Sequence, residues 1–182
     1  MNHTDHVNLI RPGIQPHSTS ETWADFGSGG GAFTLALAEL LPTATLYSID
    51  RDSSALDQQH KAMSAQFPAQ TVIYRTTDFT RKLDLPLLDG VLMANSLHFI
   101  RDKAPVLELV RGYLKPGGRL MLVEYNTDQG NTWVPYPLTF ESWAALAAKN
   151  GFSGTRKLSA RPSRFLGEIY SALSMKSDMP LD

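Results

Sequence analysis

Along this chain short apolar runs alternate with stretches in which apolar residues recur on one helical face. TWADF (Thr22 to Phe26) reads as a strand that leads straight into glycines. Over Ala32 to Leu41, Phe33, Leu37, Leu40 and Leu41 share one helical face, and Pro42 stops that helix. TLYSID (Thr45 to Asp50) predicts a second strand, followed by a helix to Phe67 with Asp52 or Ser53 as N-cap. TVIYR (Thr71 to Arg75) and GVLMAN (Gly90 to Asn95) predict the third and fourth strands, the fourth apolar enough to be covered on both faces. Asp102 and Pro105 open a helix that turns Val106, Leu107, Val110 and Leu114 inward, and KPGG makes a tight turn into the strand RLMLVEY. A helix then runs from the N-cap Thr139 to the C-cap Asn150-Gly151. Thr155 to Ser159 and Glu168 to Met175 are two last strands.

This alternation predicts an α/β fold: a doubly wound, Rossmann-like, mostly parallel sheet with helices on both faces. Such sheets bind ligands outside the carboxyl ends of their strands, where the strand order reverses. The residues in that position are Asp25 to Gly31, Asp50 and Arg51, Asp78, Asn95 to His98, and Glu124 to Asn126. Several are acids, which bears on the ligand's charge.

Composition narrows the classes. With 182 residues the chain can form one domain with a full core, its first 20 residues serving as a helix and approach segment. A net charge of -1 gives no sign of a nucleic-acid footprint. The absence of cysteine excludes disulfides, thiolate metal sites and cysteine nucleophiles. No metal site is expected: His3 and His6 lack carboxylates at ligating spacing, His60 lies on a helix facing solvent, and His17 carries no reading. No apolar stretch spans a bilayer and the start has no signal-peptide core, so the expected location is cytoplasmic.

GSGGGA (Gly27 to Ala32) satisfies the dinucleotide pattern G-x-G-x-x-G/A, with Asp50 roughly 20 residues further on where a ribose-binding acid belongs. A pyrophosphate on the helix N-terminus, however, would meet Asp25 just before the first glycine. A cofactor with a nucleoside at one end and an ammonium at the other suits the acids better. Asp25 then faces positive charge, Gly27, Ser28, Gly29 and Gly31 admit the ligand, and Asp50 accepts the ribose hydroxyls. S-adenosylmethionine has that chemistry.

DFGSGGG resembles the D-x-G-x-G-x-G motif of class I S-adenosylmethionine-dependent methyltransferases, and LYSID, TTDFT, LDGVLMANSLHFIRD and LVRGYLKPGGRLMLVEY resemble that family's next four segments in order. The resemblance implies a seven-stranded sheet with an antiparallel last strand. It implies that Asp50 holds the ribose, that Asp78 meets the adenine amino group and that Phe79 covers the ring. Asn95 and Ser96 would touch the methionine end. The LH pair after the fourth strand is similar to ubiquinone- and menaquinone-type methyltransferases, without implying a quinone substrate.

Methyl transfer needs an aligned acceptor, and a base only where the acceptor loses a proton. His98 is either that base or a pocket wall, with Glu124, Tyr125 and Asn126 as further candidates for handling the acceptor. Trp133 and Tyr136 form a wall or lid, while Trp143 and Phe140 read as core or lid. Arg161 and Arg164 meet either an acidic substrate or solvent. The expected acceptor is a small molecule, methylated at oxygen, carbon or nitrogen; the chain departs from the family members that methylate amino groups of bases or glutamine in having no (D/N)PPY after the fourth strand. The short leading segment leaves the pocket open or completed by a second subunit of a homo-oligomer. An NAD-type oxidoreductase and a non-catalytic S-adenosylmethionine-binding scaffold are the alternatives.

Overall fold

The computed structural model describes residues 1–14 and 20–177, so His17 lies outside the described residues. Seven strands form one sheet in the order β3-β2-β1-β4-β5-β7-β6. They are β1 (Thr22–Phe26), β2 (Thr45–Asp50), β3 (Thr71–Thr76), β4 (Leu88–Ala94), β5 (Leu114–Tyr125), β6 (Phe152–Ser163) and β7 (Gly167–Lys176). Strands β1 to β5 pair in parallel, and β7 is antiparallel to both β5 and β6. The helices are α1 (His3–Ile10), α2 (Ala32–Leu40), α3 (Ser53–Gln66), α4 (Ala104–Tyr113) and α5 (Phe140–Lys149).

Strand periodicity divides the interior into two layers. Trp23, Leu46, Leu92, Met121 and Val123 point to one face, where α1, α2 and Met63 of α3 cover them. Ala24, Phe26, Met93 and Leu122 point to the other, beneath Val106 and Val110 of α4 and Trp143 of α5. The helix starts follow the sequence: Asp52 caps α3 by accepting from Ser54 and Ala55 backbone N–H, and Thr139 caps α5 by accepting from Ser142.

Three expectations change. KPGG is not a turn between elements but a bulge inside β5, because Leu88 pairs with Leu114 and Gly90 with Arg119. Leu114 therefore opens β5 rather than closing α4. Strand β6 runs over twelve residues instead of five, its polar, Pro162-bearing sequence being that of a sheet edge. Between β3 and β4 the chain crosses without a helix. Leu83 and Leu85 of that crossing pack on the α4/α5 layer, and Leu83 N–H donates to the Tyr113 hydroxyl at 2.7 Å. Strand order reverses between β1 and β4, which brings the carboxyl ends of β1, β2, β4 and β5 to one rim.

Candidate active site

The glycine turn between β1 and α2 is built on positive backbone angles. Gly27, Gly29 and Gly31 have φ of 75°, 51° and 84°, whereas Gly30 does not have a positive φ. A Cβ at Gly27 would lie 2.5 Å from Ser96 Cβ, and one at Gly31 would lie 2.3 Å from Gln59 Cγ. Nothing stands within 4 Å of such a Cβ at Gly29 or Gly30, so the turn is open above those two. Gly27 and Ser28 N–H donate to Ile49 O, which anchors the turn to β2.

Asp25 lies under this turn with 2% of its surface exposed. Its Oδ2 accepts from the Thr34 hydroxyl at 2.6 Å, and its buried Oδ1 has no partner. Burial raises its pKa to about 7, opposed by the Thr34 hydrogen bond and assisted by the Asp50 charge. Asp50, at the end of β2, accepts from Gly29 N–H (2.8 Å) and Asp52 N–H (2.9 Å). Asp78 Oδ1 accepts from the Thr80 backbone N–H and hydroxyl, and these bonds hold its carboxyl below the usual range. It is thus a turn former that also lines the cleft.

Two cavities meet at this rim. One, of about 390 Å³, is bounded by Asp25, Ser28, Gly29, Phe33 and His6; the other, of about 540 Å³, by Asp50, Arg51, Asp78, Phe79, Ser96 and Phe99. Gly27 and Asn95 line both. Asn95 turns sharply after β4 with φ 53°, and its Oδ1 and the Ser96 Oγ are buried without partners. A third cavity, of about 490 Å³, opens at the opposite end of the sheet, where its acids are already paired: Glu21 with Arg119, and Asp89 with Lys115.

His98 lies on a single 3₁₀ turn, Leu97–Phe99, directly after β4. Its Nδ1 is 2.7 Å from Glu124 Oε2, and its backbone N–H donates to Glu124 Oε1 at 3.1 Å. Glu124, near the end of β5, is fully buried, and His98 supplies a partner to each of its oxygens. Tyr136 N–H donates to His98 O, and Lys103 Nζ bridges Ile100 O and Tyr136 O, which ties the segment after β5 to this turn. Burial lowers the Lys103 pKa, against the pull of Glu124.

Other candidates take structural positions. Asn126 donates to Glu168 and accepts from Phe140 N–H, joining β5, β7 and α5. Arg161 pairs with Asp5 of α1. Trp143 is fully buried and Trp133 is 73% exposed. Tyr125 stands between the rings of His98 and Phe165, at 6.4 and 5.7 Å. Sequence reading missed Thr34, His6 and the Ser28–Ser48–Gln59 chain of hydrogen bonds behind the glycine turn, buried at its Ser48–Gln59 end. For Thr34 the available signal was a hydroxyl in a helix whose only other polar side chain is that of Glu39.

A family model described as a methyltransferase domain matches residues 24–120, more than half of the chain. A highly reducing polyketide synthase of Emericella nidulans is 32% identical over 145 residues, which cover 70% of this chain and 6% of the synthase. The chain spans about 7% or less of the length of the curated relatives it matches. Among solved structures, the CurJ carbon methyltransferase superposes with TM-score 0.75 at 21% identity, over 98% of this chain and 54% of that one. The S-adenosylmethionine-dependent methyltransferase SibL does so with TM-score 0.73 at 17% identity, over 94% and 54%. The fold is thus that of class I methyltransferases, the oxidoreductase alternative falls, and the chain belongs to the methyltransferase domain family.

Proposed function

We propose that this methyltransferase domain uses S-adenosylmethionine to methylate an acidic carbon of a small acyl acceptor, with His98 as the base and Glu124 orienting it. The observation that carries the reading is the buried His98–Glu124 pair at the joined ends of β4 and β5. A carboxylate on Nδ1 fixes the proton there, leaves Nε2 as the basic nitrogen and stabilises the imidazolium that forms. Methylation of a hydroxyl or amine with an available lone pair asks less of a base than methylation of a C–H between two carbonyls. A fully buried carboxylate held against one imidazole suits the harder task.

The residues of the rim fit S-adenosylmethionine. Asp25 Oδ1 is an orphaned buried acceptor for an ammonium, the turn at Gly29 and Gly30 is open, and Asp50 stands at the nucleoside cavity. Asp25, Asn95 and Ser96 would hold the amino-acid end, Asp50 the ribose, and Asp78 and Phe79 the adenine. When bound, the cofactor supplies a methyl made electrophilic by its sulfonium. His98 takes the acceptor's proton at Nε2, Glu124 keeps the ring aligned, and Lys103 holds the Ile100 and Tyr136 carbonyls beside it. The carbon methyltransferase neighbour and the polyketide synthase relatives support a carbon acceptor of the β-ketoacyl kind.

The test is turnover to S-adenosylhomocysteine with a β-ketoacyl thioester, in the unaltered protein and in His98→Gln and Glu124→Gln. Both substitutions should lower kcat by about 10²-fold or more while S-adenosylhomocysteine affinity stays unchanged. Wild-type rate in His98→Gln, or methylation of hydroxyl acceptors alone, would defeat the carbon-acid reading.

A further inference from the structure

S-adenosylmethionine ends in an amino acid, which carries a carboxylate as well as an ammonium. Asp25 and the unpartnered Asn95 Oδ1 are acceptors and answer only the cation. Among the described residues lining the smaller cavity there is no lysine or arginine, and His6 is the one side chain that can carry positive charge. His6 projects from α1, its ring 4.8 Å from that of Phe33, the second residue of α2. Helix α1 is held firmly enough to aim it. Val7, Leu9 and Ile10 are buried against the sheet layer, Leu9 O accepts from the Ser171 hydroxyl of β7, and Asp5 pairs with Arg161 of β6.

We infer that His6 binds the carboxylate of the cofactor's amino-acid moiety, so that α1 closes the polar end of the site opposite Asp25. The inference rests on the cofactor reading above. The neighbouring charges are already committed. Asp5 engages Arg161 and Asn2 N–H, and Glu39 of α2 engages His3 and Arg11. Half-burial lowers the His6 pKa, with His3, Arg161 and the first amino group adding to the effect and Asp5 opposing it. A carboxylate arriving at such an imidazole favours its protonated form, so ligand binding recruits a proton to His6. Without His6, the side chains of this cavity would offer that carboxylate no charged partner.

S-adenosylmethionine and its decarboxylated analogue share the ammonium and sulfonium and differ at the carboxylate, which makes them the probes. In calorimetry the unaltered protein should prefer the intact cofactor. His6→Phe should weaken it about tenfold or more and leave the decarboxylated analogue within about twofold, with His6→Gln intermediate. In the unaltered protein, nuclear magnetic resonance should show the His6 imidazole pKa rising by about one unit with S-adenosylmethionine and not with the analogue. Equal losses for both ligands in His6→Phe, or an unmoved imidazole pKa, would overturn the role of His6 and leave the cofactor reading standing. Silence of the unaltered protein toward both ligands would overturn the two together.

Discussion

Buried beneath the glycine turn, the Asp25 carboxyl has one oxygen held by Thr34 and one without a partner, and burial lifts its pKa from 3.8 to about 7. Between those values the folded state binds more protons than the unfolded chain. The contribution to stability is therefore complete below pH 3.8 and lost as the pH climbs to about 7. The bonded carboxylates, Asp52 and Asp78 among them, have depressed pKa values and slope the other way. Comparison with Asp25→Asn isolates the one group: from pH 5 to pH 8 the urea midpoint should fall further in the unaltered protein than in the variant. Parallel midpoints would mean that Asp25 is ionised throughout. A bound ammonium expels this proton, so S-adenosylmethionine affinity, taken relative to that of Asp25→Asn at each pH, should also rise across the same interval. An acid before GSGGG was legible because phosphate ligands would not tolerate it. Its partner Thr34 was not, since that contact is made nine residues on by a helix the sequence places but does not orient. His98 and Glu124 were each legible as rim residues, but their pairing needs the register of β4 on β5.

The four glycines of the β1–α2 turn look alike in sequence and behave differently in the element they form. Gly31 is the N-cap of α2 at φ 84°, with Gln59 of α3 closing over it. Gly30 lacks a positive φ and faces open space. Gly31→Ala should cost about 1–3 kcal/mol, because the residue must stay left-handed and displace a buried side chain. Gly30→Ala should lie within about 0.5 kcal/mol of the unaltered protein. Urea denaturation of both variants checks the contrast, and equal losses would show that the turn rearranges as a unit. Element identity was well marked wherever a cap or an apolar run was strong: β1 has the bounds read from TWADF, and Asp52 and Thr139 cap as expected. It was poorly marked at β6, whose FSGTRKLSARPS needs few apolar residues because an edge strand has one neighbour. The KPGG bulge was hidden for a related reason, as Pro-Gly chemistry serves a bulge as well as a turn.

At the scale of the whole molecule, the crossing from β3 to β4 without a helix joins the core to the rim cavity lined by Asp50, Asp78 and Phe79. Parallel strands are usually linked by a helix that covers the sheet. Here Phe79, Leu83 and Leu85 cover part of the α4/α5 layer instead, with Phe79 stacked 5.9 Å from Phe26. The alternation of strands and helices made the sheet legible, but no periodicity reports a missing helix. A side-chain bond from Leu83 N–H to the Tyr113 hydroxyl at the end of α4 pins the segment. Tyr113→Phe removes that acceptor while keeping the ring packed edge-on against Phe26. Stability should fall by about 1 kcal/mol, and hydrogen exchange should quicken over residues 78–85 with the rest of the sheet protected. Because Phe79 and Asp78 line the cavity proposed for adenine, S-adenosylhomocysteine affinity should fall in the same variant. Faster exchange with unchanged affinity would show that this crossing covers the core without shaping the adenine site. If both change together, the helix-free crossing serves as core cover and cofactor wall at once.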